Sequence, residues 1–253
     1  MILGILQVRT SSSRLPGKAL LPLFGAPLVL RVTERIGRAR SLDGLVVATS
    51  VDPSDDELAA VLEQAGLTVR RGSLTDVLGR FLQVVEEFNP ETVVRLTADN
   101  PLVDPEVIDL VVDAHRAGSV DYTSNSLTRT FPRGLDVEVA SAAALRRLAG
   151  LLPSEEEREH VTMGLYQRPE SFSIEQVVQA TNQSELRWTV DYPQDLTFAE
   201  AVYKELYVQN PCFGRDEVIR LLERNPQLRH TDADAATWAS PRATPRLVAG
   251  PAE

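Results

Sequence analysis

Ile2-Leu3-Gly4-Ile5-Leu6-Gln7-Val8 opens the chain, and Arg9-Thr10-Ser11-Ser12-Ser13-Arg14-Leu15-Pro16-Gly17-Lys18 follows it directly. The first stretch is short, aliphatic and non-alternating, the pattern of a strand buried on both faces of a parallel sheet. The second is a polar loop holding a proline and a glycine. Outward from this pair the alternation repeats. Pro27 is placed to start a helix, and residues 28–40 carry helical spacing with a basic end. Residues 44–50 read as a strand, and Ser54-Asp55-Asp56-Glu57 opens a helix that Gly66 stops. A short strand over 67–71, a helix over 73–88 capped by Ser73 and a strand over 92–97 come next. Ala98-Asp99-Asn100-Pro101 ends that strand, and Asp104 or Pro105 starts a helix running to Ala117. This repeated alternation predicts an α/β fold, an open and mainly parallel sheet flanked by helices.

The second half is less regular. Residues 120–123 and 135–139 read as strands, the latter alternating apolar with acidic so that one face meets water or a ligand. Residues 141–150 and 154–167 read as serine-capped helices, 172–178 and 187–190 as strands, and 194–208 and 216–225 as helices. From Thr231 the chain has few apolar anchors, which predicts a single domain over residues 1–230 and a flexible tail over 231–253.

At 253 residues the chain can bury a sizeable core. Its formal net charge of -10 argues against coating nucleic acid, which needs a basic surface. The single Cys212 excludes an intrachain disulfide and a cysteine-based zinc site. No signal-peptide pattern and no membrane-length apolar run is present, so a cytoplasmic protein with no membrane partner is expected.

In open α/β sheets ligands sit beyond the carboxyl ends of the strands, so chemistry is expected after Val8, Ser50, Arg71 and Thr97. The loop over 9–18 gathers Arg9, Arg14 and Lys18 with hydroxyl and amide donors, an arrangement suited to a triphosphate. Composition alone reads equally well as a solvated basic loop, and the Walker spacing is absent. Asp99 and Asp191 each follow a short expected strand, and each has a proline two positions later. Two carboxylates plus substrate phosphates are the usual protein share of a magnesium site. Asp-x-Pro is also an ordinary start for a turn or helix.

Ser12-Ser13-Arg14-Leu15-Pro16-Gly17-Lys18, directly after the first strand, resembles the signature of cytidylyltransferases that make CMP-activated sugar acids. These include the CMP-Kdo and CMP-sialic acid synthetases, and the likeness is greatest to the spore coat polysaccharide biosynthesis protein F group. It continues in collinear order through Val47-Ala48-Thr49-Ser50, Arg71-Gly72-Ser73, Arg95-Leu96-Thr97-Ala98-Asp99-Asn100-Pro101, Arg133-Gly134-Leu135-Asp136-Val137-Glu138, Glu157-Arg158-Glu159-His160-Val161-Thr162 and Arg187-Trp188-Thr189-Val190-Asp191. A series of motifs in order is far more specific than any one of them.

The resemblance implies a Rossmann-like sheet of the nucleotide-diphospho-sugar transferase type. It implies metal-dependent transfer from CTP to a sugar acid or related acceptor, giving CMP-acceptor and pyrophosphate, in surface polysaccharide or specialised sugar biosynthesis. The implied catalytic residues are Arg9, Lys18 and Asp99. Nucleotide contacts would come from Gln7, Val8, Arg9, Ser13, Arg14, Lys18, Ala48, Thr49, Gly72, Ser73 and Asp99. Acceptor contacts would come from Asn100, Arg133, Asp136, Glu138, Arg158 and His160. Mg²⁺ (or Mn²⁺) would sit on Asp99 and Asp191, and the chain would pair as a homodimer. Asn100 stands where the CMP-Kdo enzymes carry an acid. Arg80 would orient the base or, by slight preference, stay on a helix surface; His115 and His230 read as surface residues, and Trp188 as a support. The alternatives are a glycosyltransferase using a nucleotide sugar, whose usual Asp-x-Asp is missing at Ala98-Asp99-Asn100, and a non-catalytic nucleotide binder.

Overall fold

In the computed structural model, which describes residues 1–238 and the side chains of residues 1–235, β1 (Ile2–Gln7) lies inside a seven-stranded sheet. A hairpin of β2 (Pro22–Leu23) and β3 (Ala26–Pro27) leads into α1 (Leu28–Ile36). Then come β4 (Gly44–Ser50), α2 (Asp56–Gln64), β5 (Thr68–Gly72), α3 (Val77–Phe88), β6 (Thr92–Thr97) and α4 (Pro105–Gly118). The second half holds β7 (Tyr122–Ser124), β8 (Glu138–Ser141), α5 (Ala142–Gly150), α6 (Glu155–Glu159), α7 (Met163–Tyr166), β9 (Ile174–Gln176), α8 (Pro193–Leu206), α9 (Arg215–Arg224) and α10 (Asp232–Trp238).

The strand order is β5-β4-β1-β6-β8-β7-β9, and β8 alone runs against its neighbours. Both faces are covered, which is why β1 is apolar up to its last residue, Gln7. Leu3 and Ile5 pack in a layer with α3 and α5, while Leu6 and Val8 pack in the opposite layer with α1, α4 and α8. β4 and β6 flank β1 on opposite sides, so the order of connection reverses there and opens a crevice at their carboxyl ends. Gln7 registers with Ala48 on one side and Thr97 on the other, which brings the loops after β1 and β6 together.

Several expected elements are corrected. Asp76, not Ser73, caps α3, its carboxylate accepting from Gly79 N at 2.8 Å. The helix expected over 154–167 is two, parted at Val161, whose φ of 55° breaks the helical path. The strand expected over 135–139 is shifted to Glu138–Ser141. Residues 187–190 join no ladder; they form an extended strap touching Arg133 and His230 through main-chain bonds. The tail expected from Thr231 begins as α10, and the rest of it, residues 239–253, lies outside the described residues. Among the described residues, no helix is long and apolar enough to cross a membrane.

Candidate active site

The loop after β1 is shaped by a few bonds. Buried Asp55 holds its start, accepting from Thr10 N and Thr10 Oγ1, both at 2.7 Å, and from Ser50 Oγ. Gly17 N donates to Thr10 O at 2.9 Å and closes the loop. Gly17 has a φ of 69°, with open space around the missing side chain, so its conformation rather than crowding calls for glycine. The closed loop forms one wall of a cavity of about 440 Å³ at the carboxyl ends of β1 and β6. Gln7, Val8, Arg9, Ser13, Arg14, Lys18, Asp99 and Asp191 all line it.

Lys18 lies at the centre of the charges. Its Nζ donates to Asp99 Oδ2 at 3.0 Å, to Asp191 Oδ1 at 3.0 Å and to the Val190 carbonyl at 2.8 Å. Burial opposes its charge, but Asp99 and Asp191 outweigh burial and raise the ammonium above its ordinary range. Each carboxylate has its other oxygen tied to the framework. Asp99 Oδ1 accepts from Thr97 Oγ1 at 2.7 Å, and Asp191 Oδ2 pairs with Arg187 at 2.9 Å. Arg14 adds a 2.7 Å contact to Asp191 Oδ1 from the exposed rim. Burial opposes ionisation of Asp191 too, and Lys18 and Arg14 prevail, holding it below the usual carboxylate range.

A buried network sets where Asp191 sits. Asp195 accepts from Asp191 N at 2.7 Å, Tyr192 N at 2.8 Å, Arg187 Nε at 2.9 Å, and meets His230 Nε2 at 2.6 Å. Asp195 is thereby held well below the carboxylate range against its own burial. Asp232 of α10 bridges Arg187 at 3.0 Å and Arg133 at 2.8 Å. The strap over 187–190 is pinned from the other side by Gly134, whose φ is 105°. A Cβ at that position would lie 2.7 Å from Thr189 N. Trp188 is buried and packs this strap into the core, as its support role requires.

A second cavity of about 540 Å³ adjoins the first, and Thr97 and His160 line both. Arg133, Asp136 and Glu138 line it with Arg95, Arg129, Thr162 and Tyr166. Its charges are matched within the protein: Arg95 with Glu138, and Arg129 with both oxygens of Asp136. Glu138 also accepts from Tyr122 Oη and Thr162 Oγ1, both at 2.5 Å. The turn at Val161 that splits α6 from α7 places Thr162 for this bond and His160 at the shared wall.

The remaining expected residues lie elsewhere. Ala48 and Thr49 are fully buried in β4, and neither they nor Gly72 and Ser73 line either cavity. Arg80 explains part of this: it packs on Gly72, donates to Ser73 O at 2.9 Å and itself lines the first cavity. Of the two places expected for Arg80, the preferred surface one is therefore corrected. It is 3% exposed, its Nε has no partner, and burial followed by the nearby Arg9 lowers its pKa. Asn100 is buried against Thr97 at 2.9 Å, and Arg158 turns to Asp76 at 2.5 Å, so neither lines the second cavity. His115 and His230 are buried rather than on the surface, on Thr123 at 3.0 Å and Asp195 respectively. Sequence reasoning missed Arg187 and Asp195 as site residues, although their spacing of four to either side of Asp191 was a signal. His230 and Asp232 had none. Among the described residues, no group of three or more His, Cys, Asp or Glu is arranged to hold a metal.

Comparison with known proteins agrees with this architecture. A family model described as cytidylyltransferase matches residues 3–210. The spore coat polysaccharide biosynthesis protein SpsF of Bacillus subtilis (strain 168) is 35% identical over 243 residues, covering 93% of this chain and 97% of that protein. A 3-deoxy-manno-octulosonate cytidylyltransferase of Anaeromyxobacter dehalogenans (strain 2CP-1) is 38% identical over 117 residues, 45% of this chain and 47% of that one. A solved cytidylyltransferase from Leptospira borgpetersenii superposes with a TM-score of 0.85 at 28% identity, covering 90% of this chain and 96% of that one. The matched model spans both the loop after β1 and the strap that carries Asp191, and on that ground the chain belongs to the cytidylyltransferase family.

Proposed function

We propose that this chain transfers a cytidylyl group from CTP to an oxygen of a sugar acid or related acceptor and releases pyrophosphate, in surface polysaccharide or specialised sugar biosynthesis. The observation that carries the reading is a pair of adjoining cavities sharing Thr97 and His160, one rich in loop cations and one in matched Arg–carboxylate pairs. The names of the relatives supply the class of donor and acceptor.

Arg9, Arg14 and Lys18 would hold the phosphates of the triphosphate, and Arg80 would lie beside the nucleoside. Arg133, Asp136 and Glu138 would meet the acceptor, Arg for its carboxylate and the acids for its hydroxyls. An acceptor oxygen would attack the α-phosphorus in line; that bond forms as the bond to the bridging oxygen of pyrophosphate breaks. The acceptor's proton leaves to solvent. Negative charge grows on the departing pyrophosphate, where the loop cations stabilise it without reorganising water. The rest of the acceleration comes from holding two reactants in register.

The carboxylates of Asp99 and Asp191 suit a magnesium or manganese ion: one oxygen of each already faces a common cation, the Lys18 ammonium, and hard oxygens are the right donors. Bound there, the ion would neutralise charge on the phosphates.

The test is pyrophosphate release with Mg²⁺, each of the four nucleoside triphosphates, and a panel of sugar acids and sugar phosphates. Release from CTP with one acceptor, cut about a hundredfold or more in Asp99→Ala, is expected. CTP binding without release from any acceptor would turn the reading towards a non-catalytic binder.

A further inference from the structure

We infer that the Lys18 ammonium is the resident occupant of the cation seat between Asp99 and Asp191, so that the nucleotide-free protein takes up a divalent ion poorly and accepts one together with a triphosphate. This rests on the metal reading proposed above.

An ammonium group has three N–H bonds. All three are engaged here, by Asp99 Oδ2, Asp191 Oδ1 and the Val190 carbonyl. Lys18 therefore has no donor left for a phosphate while it rests where it does. To serve a triphosphate it must leave at least one of these oxygens. What it leaves behind is two carboxylate oxygens and one carbonyl oxygen converging on one point, a donor set that suits a hard divalent cation.

The frame around that point stays in place when Lys18 moves. Thr97 fixes the other oxygen of Asp99, and buried Arg187 fixes the other oxygen of Asp191. The other loop cations are also held by protein acids: Arg14 by Asp191 and Arg9 by Glu159 at 3.0 Å. A divalent ion approaching this closed set meets Lys18 and Arg14 at short range, and like charges that close repel strongly where water is scarce. The phosphates reverse the balance by drawing Lys18 and Arg14 outward onto themselves. Metal and nucleotide affinities are then coupled through one side chain, and the coupling is reciprocal.

The experiment is a titration of Mn²⁺, read by electron paramagnetic resonance, into the full-length protein with and without CTP. It compares wild type, Lys18→Met, Lys18→Ala and Asp99→Ala. Wild type should bind Mn²⁺ weakly alone and much more tightly with CTP. Both Lys18 variants should bind Mn²⁺ without CTP about tenfold or more tighter than wild type, and gain less from CTP. Removing Lys18 leaves two carboxylates facing each other, so these variants should melt lower, and Mn²⁺ should raise their melting temperature more than that of wild type. That shift is readable even in a poorly stable variant. Unchanged or weaker Mn²⁺ affinity in both Lys18 variants, with no larger thermal shift, overturns the inference while Asp99→Ala still abolishes the CTP-dependent site. If Asp99→Ala leaves Mn²⁺ binding intact with CTP present, the metal reading itself falls and the inference falls with it.

Discussion

Single residues in this site combine framework and chemistry. Arg187 is buried and divides its guanidinium among Asp191, Asp195 and Asp232. Arg187→Met would take a charged partner from two buried carboxylates that keep their other bonds, and breaking a buried pair from one side costs up to about 3–5 kcal/mol. Urea denaturation should show that loss. Gly134→Ala should be damaging by another route, because a φ of 105° and a Cβ 2.7 Å from Thr189 N leave no room for a side chain. The conformational strain alone is about 1–3 kcal/mol, and the displaced strap should also lower kcat. The acid limb of stability follows from Asp191 and Asp195, both depressed below the ordinary range. In the unfolded chain such carboxyls take up protons near pH ~3.9, whereas here they stay ionised to lower pH. Their stabilisation is complete above the unfolded value and is lost as pH falls towards the folded ones. Melting temperature should therefore drop as pH falls below about 4, and less steeply in Asp195→Asn. The loop after β1 and both aspartates could be singled out in sequence because they follow expected strands and match the family's motifs, while their residue types alone left a solvated loop and ordinary turns open. The burial of His230 was not legible there, since it is decided by Asp195 and Phe198 over thirty residues away, and that of Arg80 depends on how α3 folds back over Gly72 and Ser73.

At the scale of elements, legibility tracks how local the cause is. β1, β4 and β6 could be read because both faces are buried and a helix follows each. β7 and β9 form where strands over 120–123 and 172–178 are expected, but each is only three residues long, so their bounds could not be read. The strap over 187–190 has strand-like composition but bonds irregularly to Arg133, Asp99 and His230, so only its role in carrying Asp191 was foreseeable. Helix starts depend on single caps. Asp104 accepts from Glu106 N at 2.8 Å and Val107 N at 3.2 Å, and its second oxygen takes Arg215 N, so one carboxylate serves both α4 and α9. Asp104→Ala should cost about 1–2 kcal/mol in a denaturant midpoint. It should leave the turnover of the folded fraction intact, since Asp104 lines neither of the two adjoining cavities.

For the whole molecule, the arrangement of the sheet decides the chemistry. The reversal of strand order beside β1 brings the loops after β1 and β6 to one crevice, and the reversed β8 carries Glu138 into the next cavity. The two cavities proposed for donor and acceptor are thus neighbours by topology, with Thr97 and His160 lining both. The second half of the fold, which supplies most of the second cavity, is also where sequence patterns were weakest, because its elements are short and joined by turns and ion pairs. The most direct measurement is the fate of isotope in CTP labelled at the α- or the γ-phosphorus, incubated with Mg²⁺ and the acceptor that supports turnover. The α-label should pass to the acceptor and the γ-label should leave in pyrophosphate, both failing in Asp99→Ala and Asp191→Ala. Transfer of the γ-label alone, or α-label transfer that survives both substitutions, would contradict cytidylyl transfer at this crevice.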